Sequence, residues 1–317
     1  MNRFKIIPAD TFIWNQIELI DFLVKNQNKS IIIDMNAEGP SCRSIGLYDL
    51  LDQFQFDKVV IETDNAIEYH NTYQVMLHQA RYARVRNAVD SRYHSWNKNK
   101  IFCAYYGRPL WHRIGLASYL KTQHDSISYV NLRGEYNNDD SRRLFEITEL
   151  FHCAPEQIVN FASVAAQLPF ILESQDNYTP GEQDTSGFTG QLLEFYSNIL
   201  IDVVAETFTS GKTFYPTEKT FRPILMKKPF IVMGPINYLI YMRQMGFKTF
   251  YEFWDEDYDG YGPRLKFQKI IKLIEDISKK SKQELYDMYQ AMQTILNHNY
   301  DLLIDQTYNK NITLVND

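Results

Sequence analysis

The sequence predicts an α/β protein made of two Rossmann-like domains, with parallel sheets facing one another across a cleft. Two observations carry this expectation. Short β-branched runs alternate with helical stretches before residue 97, and the same alternation restarts near residue 100. The length agrees, since 317 residues make about two domains at roughly 150 residues each.

The elements follow in order. Ile13, Ile17, Ile20 and Val24 fall at helical spacing and predict a helix over Phe12–Lys25. Lys29–Met35 (KSIIIDM) reads as a buried parallel strand that ends in the polar loop 34–40. A helix over 47–54 and a strand over 58–61 come next, followed by Glu62, Thr63 and Asp64; residues 67–90 read as helical. The second half reads as strand 101–106, helix 110–121, strand 126–132 and helices 141–152 and 155–167. After a loop at 175–190 come strand 199–205, helix 217–226, strand 229–233 and helix 237–245. Amphipathic helices over 264–278 and 282–297 close the chain, the second opening on a Ser281-x-x-Glu284 capping box. The polar stretch Trp96–Asn99 sets the boundary, giving domains 1–97 and 98–317.

Composition narrows the function. Apolar residues are 44% and aromatics 15% of the chain, which predicts a folded core rather than disorder. A net charge of −6 argues against a general polyanion binder. Three widely spaced cysteines (Cys42, Cys103, Cys153) form neither a disulfide framework nor a paired metal site. No apolar run approaches the ~18 residues of a membrane span, and the start (MNRFKIIPADTF) lacks a signal core. The expectation is a soluble, cytoplasmic protein with no membrane partner.

Ligands of such sheets sit beyond the carboxyl ends of strands. There the richest window is Glu206–Gly234. A strand runs through a polar loop into a helix that opens Thr217-Glu218-Lys219-Thr220, with Arg222 one turn on. Free N–H groups, the positive end of the helix dipole and two cations suit a phosphate, and Glu218 suits vicinal ribose hydroxyls. The plainer alternative is that Thr217 is an N-cap and Glu218 complements the dipole. Ser210-Gly211-Lys212-Thr213 is not a P-loop, because position 206, where that motif needs Gly, is Glu. A second window, Tyr105–Arg113, gathers Arg108, His112 and Arg113 at another strand-to-helix turn. Arginine offers a fixed fork of donors for phosphate oxygens; the alternative is an exposed Arg113 and a surface His112.

Together these windows resemble the donor domain of the α-1,3-fucosyltransferases and related GT-B glycosyltransferases. Those enzymes carry a strand, a turn and a downstream Arg, as Ile101–Arg113 does here. They then have a Phe-Glu-Asn strand end, a Tyr-x-Thr-Glu-Lys helix start and a Pro-led apolar strand ending in Gly. Ala205-Glu206-Thr207, Tyr215-Pro216-Thr217-Glu218-Lys219 and Pro229–Gly234 match these in order, with Thr207 in place of Asn. The Thr-Glu-Lys-Thr-Phe-Arg-Pro-Ile run resembles runs found in phage and giant-virus sequences.

The resemblance implies a GT-B-like fold, with an acceptor-side domain at 1–97 and a donor domain at 98–317. It implies a nucleoside-diphosphate sugar as donor, with no metal and no further cofactor. Arg113 would hold the diphosphate, Glu218 the ribose and Lys219 a phosphate, while Tyr215 lines the pocket. Arg108, His112, Glu206, Thr207, Thr217 and Arg222 complete the donor-side set.

An inverting displacement needs a base for the acceptor hydroxyl and positive charge for the leaving diphosphate. The base is expected across the cleft, at Glu38, Glu62 or Asp64, with Glu38 favoured because Gly39-Pro40 turns there; each could equally be a solvated loop carboxylate. Asp255–Asp259 holds two Asp-x-Asp patterns, the type that binds Mn²⁺ in GT-A enzymes, and reads here as a solvated acidic loop.

The acceptor is a glycan or another small hydroxyl compound. Arg81, Arg84, Arg86, Arg92, Lys98 and Lys100, interleaved with Tyr82, Tyr93 and Trp96, raise an alternative: a hydroxylated base in DNA. The same charges could simply face the acidic remainder of the chain. A third alternative is a nucleotide-binding protein of the same fold without catalysis.

Overall fold

The computed structural model describes residues 1–8, 12–36, 39–77, 91, 94–132, 140–165, 169–170 and 195–309. It is an α/β fold with two four-stranded parallel sheets.

The first sheet runs β1 (Asn2–Lys5), β2 (Ser30–Met35), β3 (Lys58–Thr63) and β4 (Gln74–Leu77), in that spatial order. In β2, Ile31, Ile33 and Met35 are fully buried and alternate with half-buried Ser30, Ile32 and Asp34, the period-two signature of a strand. Ile33 lies opposite Phe4 on one side and Ile61 on the other. Leu19 and Leu23 of α1 (Gln16–Lys25) and Leu47 and Leu51 of α2 (Leu47–Leu51) share one core with these residues.

The second sheet holds β5 (Phe102–Tyr106), β6 (Ser128–Leu132), β7 (Ile201–Ala205) and β8 (Phe230–Met233), in the order β6-β5-β7-β8. The chain leaves β5 toward β6 on one side, and β7 and β8 extend on the other. The strand order therefore reverses between β5 and β7, a switch point at whose carboxyl edge a crevice forms. β7 and β8 are buried at every position, as expected of strands covered on both faces. The helices are α3 (Trp111–Gln123), α4 (Asp140–Cys153), α5 (Gln157–Ala165), α6 (Glu218–Leu225), α7 (Tyr238–Gln244), α8 (Pro263–Ser278), α9 (Lys282–Ala291) and α10 (Gln293–Asn309). Trp111 to Leu120 of α3 are all buried; a helix buried all round lies inside its domain.

The loop between β7 and α6 reaches across to the carboxyl ends of β2 and β3. Ala66 N donates to Phe214 O (2.9 Å) and Phe214 N to Asn65 Oδ1 (2.9 Å). Asn65 Nδ2 donates to Lys212 O (3.1 Å), and the Thr213 hydroxyl donates to Gly39 O.

Several expectations need correction. The first helix begins at Gln16, because the residues before it pair back onto the segment after β1, Ile13 bridging Pro8 and Trp14 N donating to Ile7 O. Its sheet-facing residues are Leu19 and Leu23, while Ile17, Ile20 and Val24 face outward. β1 is an unforeseen edge strand, and residues 74–77 of the expected 67–90 helix are β4, aligned by β3. The 282–297 helix breaks at Met292. Asp259 is not solvated: it is buried, pairs with Lys266 (3.2 Å) and accepts from Leu239 N at the start of α7. The loop at 175–190, Glu38 and most of the basic 81–100 segment lie outside the described residues. Lys98 and Lys100 are described, and both turn to their own chain. Lys98 sits over the Tyr286 ring, and Lys100 donates to Asp125 O and Ser126 O.

Gly39 tests how closely the loop is held. Its φ is +72°, and a Cβ there would lie 2.7 Å from Tyr215 Cβ and 3.1 Å from Asn65 N. Gly39→Ala is expected to cost about 1–3 kcal/mol in urea unfolding. An unchanged midpoint would show that the loop is not tightly seated there.

Candidate functional site

The site grows from the carboxyl end of β7, which closes on Glu206. Beside it, β5 ends at Tyr106 and the chain turns through Gly107–Leu110 into α3. The first turn of α3 points its side chains at β7. His112 Nε2 lies 2.7 Å from Glu206 O, and Arg113 Nε donates to Ala205 O (3.2 Å). Arg113 also reaches back to Arg108 O (3.3 Å), closing the turn. Both side chains, imidazole and guanidinium, are buried, at 1% exposure. This excludes the reading of His112 and Arg113 as surface residues.

Across the same strand end stands the start of α6. Thr217 is its N-cap, in extended backbone conformation, accepting from Lys219 N at 3.2 Å. Glu206 fixes it from below. Its carboxylate accepts from Thr217 N (3.1 Å), Thr217 Oγ1 (2.6 Å), Thr220 Oγ1 (2.6 Å) and Tyr238 OH (2.9 Å). Lys219 Nζ bonds Thr217 Oγ1 (3.1 Å) and Glu218 Oε1 (2.7 Å). Arg222 donates to Tyr105 O (3.1 Å) and lies over the Tyr105 ring. Ala205 and Glu206 thus bring the two windows together: Arg113 and His112 on one side, Thr217 to Lys219 on the other.

Above Glu206 opens a small, partly open hollow lined by Glu206, Thr207, Phe208, Thr213, Tyr215, Thr217 and Pro235. Thr207 Oγ1 is buried with no hydrogen-bond partner among the described residues. A buried hydroxyl of this kind calls for an explanation, and a polar ligand group supplies one. The Pro235 side is held by Lys266 Nζ, which donates to Pro235 O at 2.6 Å.

Electrostatics divide the groups. For Glu218, desolvation works to raise the carboxyl's pKa. It is outweighed by Lys219, by Arg222 and by the group's own backbone N–H, and the pKa falls to about 2. Glu218 therefore stays ionised and half-exposed at the rim. Burial, then Arg113 and Lys219, push His112 down to about 3 against the pull of the Glu206 carbonyl. The imidazole is neutral, so the nitrogen facing Glu206 O is the one that carries the proton. Nδ1 is left as an acceptor without a partner among the described residues. Beneath Arg222, burial raises Asp202 to about 6, although Arg222 and the Tyr196 hydroxyl favour its charge.

The expected bases are placed differently. Glu62 is gripped by Arg3 through both guanidinium branches (2.8 and 2.9 Å). Asp64 is 3% exposed and follows β3, next to the Asn65 that holds the β7–α6 loop. Sequence reasoning missed Tyr238 and Asn65, and it read Thr220 only as part of the helix start and Gly39 only as a turn. Asn65 left a signal too, as a turn-forming residue just after a strand.

Comparison with protein-family models, curated proteins and solved structures finds no match to this chain. Among the described residues no cluster of His, Cys, Asp and Glu is placed to hold a metal, and no helix is long and apolar enough to cross a membrane.

His112 makes stability depend on pH. Below the ordinary pKa of 6.5 the unfolded chain takes up a proton that the buried ring refuses down to about 3. Stability therefore falls as pH drops through that window, by on the order of a few kcal/mol. Asp202 acts in the opposite sense, since its folded form binds a proton more readily between about 6 and 3.8. His112→Gln should flatten the acid-side loss in urea unfolding at pH 7 and pH 4.5, and an unaltered slope would contradict a neutral buried ring.

Proposed function

We propose that this chain is an inverting glycosyltransferase with a GT-B-like arrangement, moving a sugar from a nucleoside-diphosphate donor to a hydroxyl acceptor. The observation that carries the reading is the meeting of the Arg113 turn and the α6 start at the β5/β7 switch point, beside a hollow with a polar wall. The positive end of the α6 dipole and Lys219 offset the charge of a diphosphate, and ionised Glu218 accepts from two ribose hydroxyls. Arg113 and His112 act from below, holding the strand end that positions α6. Thr207 and Tyr215 face the donor from the hollow wall.

The leaving diphosphate is stabilised by positive charge already in place, so little rearrangement is needed as charge develops. The acceptor proton passes to a carboxylate from the first sheet. Glu38 and Asp64 share that assignment: Glu62 is gripped by Arg3, and Asp64 adjoins the loop bearing Thr213 and Tyr215. The acceptor is a glycan or a small hydroxyl compound.

A thermal-shift screen of nucleoside diphosphates and their sugars tests the donor site. One base series should stabilise the wild type, and Lys219→Ala should weaken that binding by about 10- to 100-fold. If no nucleotide stabilises the protein, the reading fails. Glu38→Gln or Asp64→Asn, whichever removes the base, should keep donor binding and lower the transfer rate by about 10²- to 10⁴-fold. Donor binding with no transfer to any hydroxyl acceptor would instead identify a non-catalytic nucleotide-binding protein.

A further inference from the structure

The first helix turns an apolar face away from its own core. Ile17, Ile20 and Val24 are 77%, 36% and 52% exposed, while Leu19 and Leu23 occupy the buried side. The face continues into the preceding turn. Trp14 (58%) and Phe12 (38%) touch ring to ring at 5.2 Å, and Trp14 N bonds to O of Ile7 (57%). With ~150–250 Å² for a large side chain, these fractions sum to about 600 Å². That is the upper end for the largest apolar patch on a monomer. It also matches the apolar share, about 65%, of the ~800 Å² that each partner gives to a standard homodimer interface.

We propose that this face is the twofold interface of a homodimer, with α1 packed antiparallel against its mate. Charge selects a second copy as the occupant. Glu18, Asp21 and Lys25 are exposed and lie in line along one flank of the apolar stripe, spaced by three and four residues. In an antiparallel helix pair like flanks meet with their order reversed. Lys25 of one copy then faces Glu18 of the other, and the same pair recurs across the axis, as a twofold contact requires. An anionic bilayer would meet two carboxylates beside the stripe, the wrong sign for surface binding.

Sedimentation velocity on the full chain from about 1 to 100 µM tests this. The wild type should sediment as a dimer. Ile17→Asp and Val24→Asp should each raise the dissociation constant by at least ~100-fold, since each buries an unpaired carboxylate at the contact. Ile17→Ser serves as the milder companion. Both positions are exposed on the single chain, so circular dichroism should not move, and the unfolding midpoint should equal that of the wild type diluted below its dimer dissociation constant. Lys25→Glu should weaken the dimer, and adding Glu18→Lys and Asp21→Lys should restore it. A wild type that is monomeric at the highest concentration would overturn the proposal. So would dimers that survive Ile17→Asp, or a charge-reversed triple variant that stays monomeric.

Discussion

One buried carboxylate organises the second sheet. Glu206 is 2% exposed, and its two oxygens meet four donors from Thr217, Thr220 and Tyr238. Its backbone is equally committed: N donates to Met233 O at the end of β8, and O accepts from His112. A single residue thereby ties α3, β8, α6 and α7 to the end of β7. Removing a carboxylate from water costs several kcal/mol, and only a full set of donors offsets it. The arrangement is therefore all or nothing. With one donor missing, a carboxylate only 2% exposed is left partly unpaired.

This constraint explains how the neighbouring groups divide their work. Arg113 and His112 carry the chemistry that sequence inspection assigns to ligand binding, yet the described contacts turn them onto the carbonyls of Ala205 and Glu206. They are the frame. Apart from the saturated Glu206 carboxylate, the side chains lining the hollow, Thr207, Thr213, Tyr215 and Thr217 among them, are uncharged, while Glu218 stands ionised at the rim with Lys219 beside it. Charge at the edge and hydroxyls on the wall suit a ligand that is polar throughout and anionic at one end. Such a site works only if its groups are held before the ligand arrives, and the Glu206 network does that holding.

The sequence made much of this legible where local rules decide. The β-branched runs at Ile31–Ile33 and Val59–Ile61 became β2 and β3, and Thr217-Glu218-Lys219 became a capped helix start. Where a distant partner decides, it was silent. Gln74–Leu77 contains good helix formers, but pairing with β3 makes it a strand. Periodicity in α1 marks apolar positions without saying which of two apolar sides meets the sheet. The burial of Asp259 depends on Lys266, and the saturation of Glu206 depends on Tyr238, 32 positions along the chain. Short-range patterns carry no trace of either pairing.

The hollow is also placed from outside its own sheet. Asn65 is fully buried, and its amide is fully used. Oδ1 accepts from Phe214 N and Ile67 N, and Nδ2 donates to Glu68 and to Lys212 O. A primary amide has no further donors to offer. Sliding the loop by one residue would leave the buried N–H of Phe214 unpaired, at about 1–3 kcal/mol. The loop therefore has one seat on the first sheet rather than a range of them. Thr213 and Tyr215, which wall the hollow, flank that seat, and Asp64 adjoins it on the other side. The distance between a group held at the end of β3 and a ligand in the hollow is then set by a single hydrogen-bonded junction. A reaction that requires both to meet inherits its geometry from Asn65.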